Sequence, residues 1–342
     1  MSARESIIPV FVPHLGCPHN CVFCNQNRIS GETEPATPET VIRETENAAA
    51  FLPKGGKRQL AFYGGSFTAI PAAQQLALLR AAKAELERGN IHSVRLSTRP
   101  DAIDEEILAR LTQYGVETIE LGAQSMDEEV LRLSGRGHTA RDVERAARLI
   151  KERGFRLILQ MMTGLPGATP ESDLSTARQL AALKPDGVRI YPTVIVRDTA
   201  LYDLWQAGQY QEHTVEDAVE TCARLLPVFE AADIPVIRLG LNPTEELSSG
   251  AAVAGAYHPA LGELVQSRLM LQEARRVLAD VPPHSAVTLA VARGKTSQMT
   301  GQHRQNVAAL CREFGLSSLK MKETDLKGRE IQIFSLEISG DI

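Results

Sequence analysis

Through most of the chain, short apolar runs rich in β-branched and aromatic residues alternate with longer stretches whose apolar positions recur every three or four residues. The short runs predict strands at Ile7 to Val12, Gln59 to Tyr63, Ser93 to Ser97, Thr118 to Gly122, Arg156 to Met161 and Val188 to Thr193. Between them, PETVIRETENAAAFL, PAAQQLALLRAAKAELERG, DEEILARLTQYG, ARDVERAARLIKERG and PESDLSTARQLAALK carry the helical period. Several open on an acidic or capping residue and close at Gly, the chemistry of helix ends. Strand and helix in alternation is the pattern of repeated βα units around a parallel sheet. Six such strands fall short of a closed eight-stranded barrel, so the expected α/β fold is a partial, TIM-like (β/α)6 barrel.

After Tyr191 the rhythm changes to a short helix around DTALYDLWQAG, a long helix from His213 to Ala232 and one more apparent strand, PVIRLG. From about Gly250 the order becomes helix, strand, helix, strand: LGELVQSRLMLQEARRVLA, AVTLAVA, GQHRQNVAALCREFG and EIQIFSLEI. This predicts a barrel domain over residues 1–248 and a smaller α/β extension over 249–342, with Ser248 to Gly255 as the linker. No internal repeat of fixed period is visible.

Composition narrows the class. The 342 residues are enough for a substantial core, and five cysteines, three of them bunched, do not make a secreted disulfide framework. Cys222 and Cys311 fall in helical sequence and read as small buried hydrophobes. The N-terminal apolar run is too short for a signal peptide and is broken by prolines, and no stretch is long enough to span a bilayer. The expected location is the cytoplasm, without membrane association. A formal net charge of −5 argues against broad, charge-driven nucleic-acid binding, although Lys54, Lys57 and Arg58 make a local basic patch.

The chemistry concentrates in GCPHNCVFCNQ, where Cys17, Cys21 and Cys24 occupy one loop directly after the first predicted strand. Thiolates bind iron and zinc well, and three in one loop can face a single metal centre. With His14 or His19 as a fourth ligand the loop would close around zinc; with the cysteines alone, a four-iron cluster would keep one iron open for chemistry. A site at this strand end would lie at the C-terminal mouth of the barrel, where such folds place active sites.

This segment resembles that of the radical S-adenosylmethionine enzymes, in which three cysteines at this spacing hold a 4Fe-4S cluster and the amino and carboxylate groups of S-adenosylmethionine chelate the remaining iron. The resemblance implies Cys17, Cys21 and Cys24 as cluster ligands, no zinc, and reductive cleavage of the cofactor to a 5'-deoxyadenosyl radical that abstracts hydrogen from a substrate. It also implies a one-electron reductant such as flavodoxin or ferredoxin. Phe23 matches the aromatic that packs near the adenine. Gly64, Gly65 and Ser66 in YGGSFT look like the GGE motif that binds the methionine amino group, with Ser66 where many relatives carry an acid. Arg99 in STRPD matches a carboxylate or phosphate holder, or a partner for Asp101. Gln124, Gln160, the Gly164 backbone and Arg136 match positions that line the cofactor pocket. Two other matches, G-x-G-x-x-A and R-x-x-G-x-G around Gly135, follow a predicted helix rather than a strand and read as chance. His138 there reads as a hydrogen-bonding residue at a helix start.

YHPALGELVQSR, residues 257 to 268, resembles the segment that follows the radical domain in the catalytic subunit of Elongator and its bacterial relatives. The chain stops where the acetyltransferase domain of that subunit would begin and shows no long basic N-terminal arm, so the resemblance implies the radical half alone, acting on an RNA nucleoside or a small molecule. A second radical family, oxygen-independent coproporphyrinogen oxidase, carries a further cysteine where Gln26 stands here. The third reading is a non-catalytic metal-bearing protein that binds RNA or a partner. For substrate contact the candidates are Tyr191 and Arg238 near strand ends, His258, and Arg304 in the extension, with Arg197, Asn242 and Asn306 behind them.

Overall fold

The computed structural model describes residues 6–12, 17, 21–31, 34–51 and 56–338. The chain divides into two compact units, Met1–Pro259 and Ala260–Ile342.

In the first unit the strands are β1 (Ser6–Phe11), β2 (Arg58–Tyr63), β3 (Ser93–Thr98), β4 (Val116–Gln124), β5 (Arg156–Thr163), β6 (Gly187–Pro192), β7 (Val194–Val196), β8 (Val236–Leu239) and β9 (Ala252–Gly255). The helices are α1 (Gln26–Ser30), α2 (Pro38–Phe51), α3 (Ala72–Glu87), α4 (Glu105–Gln113), α5 (Glu128–Leu133), α6 (Ala140–Glu152), α7 (Pro170–Ala182), α8 (Ala200–Gln206) and α9 (Val215–Ala231). Among the described residues, seven strands form one sheet in the order β1-β2-β3-β4-β5-β6-β8, and every neighbouring pair is parallel. The PVIRLG run thus adds a seventh strand to the six expected. The sheet is a curled half-barrel, open between β1 and β8: Arg189 on β6 donates across its interior to the Tyr63 hydroxyl on β2 at 3.1 Å.

Sequence chemistry explains the layers. β3, β4 and β5 are buried almost throughout, as central strands of a parallel sheet must be, whereas the edge strands β1 and β8 leave Ile7 and Ile237 exposed. Outward-facing side chains meet the helices, as where Phe62 stacks on Phe67 with ring centroids 4.6 Å apart. Helix starts are set by side-chain caps: Asp104 on α4, Asp127 on α5, and reciprocal boxes of Thr139 with Asp142, Thr169 with Ser172 and Thr214 with Asp217 on α6, α7 and α9.

The small-residue stretch expected as a linker is structured. β9 pairs antiparallel with β7, and Val194, Val196, Leu247 and Ala251 share a small apolar cluster. That pairing keeps residues 252–255 with the first unit, which runs to Pro259. The second unit contains α10 (Leu261–Leu278), β10 (Ala286–Ala292), α11 (Thr296–Thr300), α12 (Gln305–Phe314), β11 (Ser318–Thr324) and β12 (Ile331–Glu337). Its sheet runs β11-β10-β12, with β10 parallel to β11 and antiparallel to β12, over a core that includes Met270, Leu278, Leu289, Met299 and Leu310. β11 was not expected from the sequence; its SLKMKET run alternates apolar and lysine positions.

Candidate active site

The inner face of the half-barrel is built differently from its outer face. In the register of β2 through β6, the inward positions are Gln59 and Tyr63, Arg95 and Ser97, Thr118 and Glu120, Gln160, and Arg189 and Tyr191. Tyr63, Ser97, Glu120, Gln160, Arg189 and Tyr191 line a cavity of about 510 Å³, and Cys17, Cys21 and Cys24 stand on its wall. The loop after β1 is clamped from two sides. Val22 donates its N–H to Ser134 O at 3.1 Å and accepts from the Leu201 N–H at 2.7 Å, while Cys24 N–H closes a turn onto Cys21 O at 3.0 Å.

Each sulfur meets a polar side chain. Cys17 Sγ lies 3.6 Å from Ser66 Oγ, Gln26 Nε2 donates to Cys24 Sγ at 3.1 Å, and Arg136 Nη1 donates to Cys21 Sγ at 3.2 Å. Burial, and then the neighbouring Cys21, push the Cys24 thiol up to about 12. A thiol so placed holds its proton until a cation shares the site, so this donor set suits a metal centre.

Next to the cysteines the backbone opens. Gly64, at φ +93°, turns the chain off the end of β2 in the left-handed region, which brings Gly65 and Ser66 to the cavity. On β4 the register slips between Gly122 and Gln124, and Gln124 itself has φ +65°. Bulges of this kind re-aim side chains beside active sites. This one points Gln124 into the cavity, while the displaced Ala123 carbonyl is held by His138 Nε2 at 3.1 Å. Arg136 Nη2 donates to Gly122 O at 2.7 Å, and Arg99 Nη2 donates to Arg136 O at 2.6 Å while Arg99 also pairs with Asp101. Three buried polar atoms on this wall lack protein partners: Ser97 Oγ, Gln124 Oε1 and Arg136 Nε. Orphaned groups of that kind are costly unless a ligand or water completes them.

At the level of Glu120 the cavity has a charged floor. Glu120 is fully buried and accepts from Arg95 Nη1 at 2.8 Å, Arg189 Nη2 at 2.9 Å, the Tyr63 hydroxyl at 2.9 Å and Gln160 Nε2 at 2.8 Å. Burial would raise its carboxyl, but Arg189 and Arg95 hold it below the usual carboxylate range. Tyr63 and Tyr191 are both pushed up, chiefly by burial, and remain neutral phenols.

Residues 11–180 match the family model of the Radical SAM superfamily, and residues 185–270 match that of the Radical SAM C-terminal domain. The chain belongs to the radical S-adenosylmethionine superfamily. Members are enzymes, and this chain is one of the Elongator-like branch. It is 32% identical to human Elongator complex protein 3 over 179 residues, 52% of this chain and 32% of the relative. It is 27% identical to the tRNA uridine(34) acetyltransferase of Methanocaldococcus infernus over 255 residues, 63% of this chain and 48% of the relative. The chain therefore spans between a third and a half of these relatives' length. In fold it is similar to the archaeal Elp3 of Methanocaldococcus infernus, with TM-score 0.62, 20% identity, and 83% of this chain and 70% of that one covered. It is also similar to Streptococcus suis SuiB, with TM-score 0.50 and 14% identity over 72% of this chain and 51% of that one.

Within this radical SAM half-barrel, one cavity brings together Cys17, Cys21, Phe23, Cys24, Gly64, Gly65, Ser66, Arg99, Gln124, Arg136, Gln160 and Tyr191, from the cysteine loop and five strands. Gly164 is not among its lining residues. Its N–H is bonded to Asp173 Oδ2 at 3.0 Å, its carbonyl accepts from the Tyr210 hydroxyl at 2.6 Å, and a Cβ there would run into the His213 ring. Its N–H and one lone pair of its carbonyl are thus engaged within the protein. Arg238 pairs in register with Arg189 across β6 and β8. His258 lies outside the lining, at the end of the first unit, and Arg304 belongs to the second unit, on the wall of a smaller cavity with Lys320. Arg197 donates to Gly250 O, and Asn306 is buried against Ser267 and Met299, so both brace the backbone. Asn242 lines the cavity mouth. His14, His19 and Lys54 lie outside the described residues. Sequence reasoning missed Tyr63, Ser97, Glu120 and Arg189 as site residues. The signal was a polar side chain at every second position of strands otherwise apolar.

Proposed function

We propose that Cys17, Cys21 and Cys24 ligate a 4Fe-4S cluster, and that the chain uses S-adenosylmethionine bound beside it to abstract hydrogen from a substrate. When bound and reduced, the cluster supplies the electron that cleaves the cofactor to methionine and a 5'-deoxyadenosyl radical. One arrangement carries the proposal: the three sulfurs share a cavity wall with Gly64, Gly65 and Ser66 and with the unpartnered Ser97 Oγ, Gln124 Oε1 and Arg136 Nε. In this reading the glycine turn and Ser66 receive the cofactor's amino group, Arg99 or Arg136 its carboxylate, and Phe23, Gln124 and Gln160 the adenosine half. Arg136, already hydrogen-bonded to Cys21 Sγ, steadies thiolate charge. The apolar part of the cavity, including Phe11 and Met162, limits water around the reacting atoms.

A tRNA nucleoside is the substrate favoured by the relatives, since one of them is named a tRNA uridine(34) acetyltransferase. The electron donor in this scheme is a flavodoxin or ferredoxin of the cytoplasm, an assignment in keeping with five unpaired cysteines. No helix among the described residues is long and apolar enough to cross a membrane.

The test is anaerobic reconstitution with iron and sulfide, addition of dithionite and S-adenosylmethionine, and chromatography for 5'-deoxyadenosine. Wild-type protein is expected to form it, and Cys21→Ala to lose both the product and the charge-transfer absorption of the cluster. An intact cluster spectrum in Cys21→Ala, or a loaded wild-type protein that yields no 5'-deoxyadenosine with or without bulk tRNA, overturns the proposal.

A further inference from the structure

Arg238, half-buried on β8 next to the cavity residue Arg189, is a cation that the cofactor scheme does not use; it flanks the cavity and is not one of its lining residues. Arg238 sits on β8 in register with Arg189 on β6, so both side chains leave neighbouring parallel strands on the inner face. Neighbouring strands lie about 4.8 Å apart, a spacing that one planar or tetrahedral oxyanion can bridge from two guanidinium groups. Glu120 is already shared by Arg95 and Arg189. No carboxylate pairs with Arg238 among the described residues; its Nε donates to Gly240 O at 2.9 Å, and its terminal amino groups have no protein acceptor there. Burial lowers the Arg238 guanidinium from its usual value; Tyr191 opposes that shift and the Arg189 charge adds to it. Two neutral donors adjoin the pair: Tyr191, two residues along β6 on the same face, and Asn242 at the mouth just past β8. The groups around the cysteines lie elsewhere, on the turn after β2 and the ends of β3 and β4. Arg189 has Glu120 as its counter-ion, whereas Arg238 has none among the described residues, and an incoming anion would balance that second charge.

We infer that Arg238 and Arg189, with Tyr191 and Asn242, form an oxyanion site that anchors a carboxylate or phosphate group of the substrate at the β6–β8 side of the cavity. The inference rests on the proposed radical function only for calling the anion part of a substrate; the site itself is a property of the fold. It makes Arg238 a specificity-determining residue and the substrate an anionic one. Arg189 commits Nε and Nη2 to Glu120 and so offers its remaining Nη1, while Arg238 offers both terminal nitrogens; together they would fix the orientation of the anchored anion.

The experiment is calorimetric titration of the full-length protein with inorganic phosphate and, separately, malonate. Arg238→Gln is compared with Arg238→Lys and with Arg178→Gln on the exposed face of α7. Saturable binding in wild type is expected, with affinity about tenfold or more weaker in Arg238→Gln, partly retained in Arg238→Lys and unchanged in Arg178→Gln. Tighter phosphate binding would mark a phosphorylated substrate, and tighter malonate binding a carboxylic acid. Phenylglyoxal labelling of the wild-type protein, mapped by mass spectrometry, reads the same site without a variant, and phosphate or malonate should slow modification of Arg238. No saturable binding, equal affinity in Arg238→Gln, or labelling indifferent to both anions overturns the inference. Formation of 5'-deoxyadenosine is measured in parallel on cluster-loaded wild type. Its loss with oxyanion binding intact counts against the radical reading, and its persistence with binding absent counts against the oxyanion site.

Discussion

At the scale of single residues, two strongly perturbed groups, Asp173 and His138, lie behind the cavity wall. Asp173 is 3% exposed and takes the Gly164 N–H, and burial pushes its carboxyl up to about 7 despite that hydrogen bond. His138 is pushed the other way, down to about 4, first by burial and then by Arg136. Their effects on stability oppose each other. Asp173 holds a proton in the native state that the unfolded chain has released, so its contribution is present below about 3.8 and is lost as pH rises toward about 7. His138 stays neutral while the unfolded chain takes up a proton, so its contribution is present above about 6.5 and is lost as pH falls toward about 4. Between those limits the two slopes largely offset. Asp173→Asn keeps an acceptor for Gly164 and removes one slope. The variant should be more stable than wild type at pH 8, by up to a few kcal/mol at about 1.4 per pKa unit, and its stability should climb with pH from about 4 to 6.5. Urea unfolding across pH checks both; a variant less stable than wild type at pH 8 would count against a strained, ionised Asp173.

At the scale of elements, the cavity wall beside the cysteines is held by the ends of β4 and α6. The segment between α5 and α6 carries Arg136 and His138, and its far end is pinned by Thr139, which caps α6 in a reciprocal box with Asp142. Removing such a cap costs about 1 kcal/mol. Thr139→Ala should lower stability by about that amount and speed hydrogen exchange from 134 to 142, while Thr139→Ser should restore both; no change in exchange would show that the Arg99 and Arg136 bonds suffice. That cap was readable in the sequence as a threonine before a helical period, and so were the six barrel strands, because their apolar runs are long and bounded by helices. The β4 bulge was not. Nothing local in ELGAQS says that Gln124 adopts φ +65°; the conformation is supported by the tertiary contacts of Ala123 O and Arg136. The β7–β9 pair was hidden for a similar reason: a three-residue Val-Ile-Val run and a four-residue run of mostly small side chains are too short to be read as strands until they find each other. The cysteine loop and the YGGSFT turn stood out because their chemistry is local. Glu120 and Arg189 did not, since their partnership spans 69 residues and appears only when the sheet curls.

At the scale of the whole molecule, two cores divide the sequence. The cysteine loop, the half-barrel and all the cavity residues belong to Met1–Pro259, whereas Ala260–Ile342 buries its own cluster around β10, α10 and α12. Leu289 is fully buried at the centre of β10, and its replacement by alanine leaves a cavity that helices α10 and α12 can only partly fill. Truncations of that kind cost about 2–5 kcal/mol. If each core carries its own cooperativity, Leu289→Ala should accelerate exchange throughout β10, β11 and β12 while β3, β4 and β5 keep wild-type protection. The thermal transition should then split or broaden, since the weakened unit unfolds below the temperature at which the half-barrel does. A single sharp transition, shifted as a whole, with exchange raised equally in both units, would mean that the two cores fold as one. In that event Leu289→Ala would lower the stability of the half-barrel by the same amount as that of the second unit, read as equal loss of protection in β3, β4 and β5.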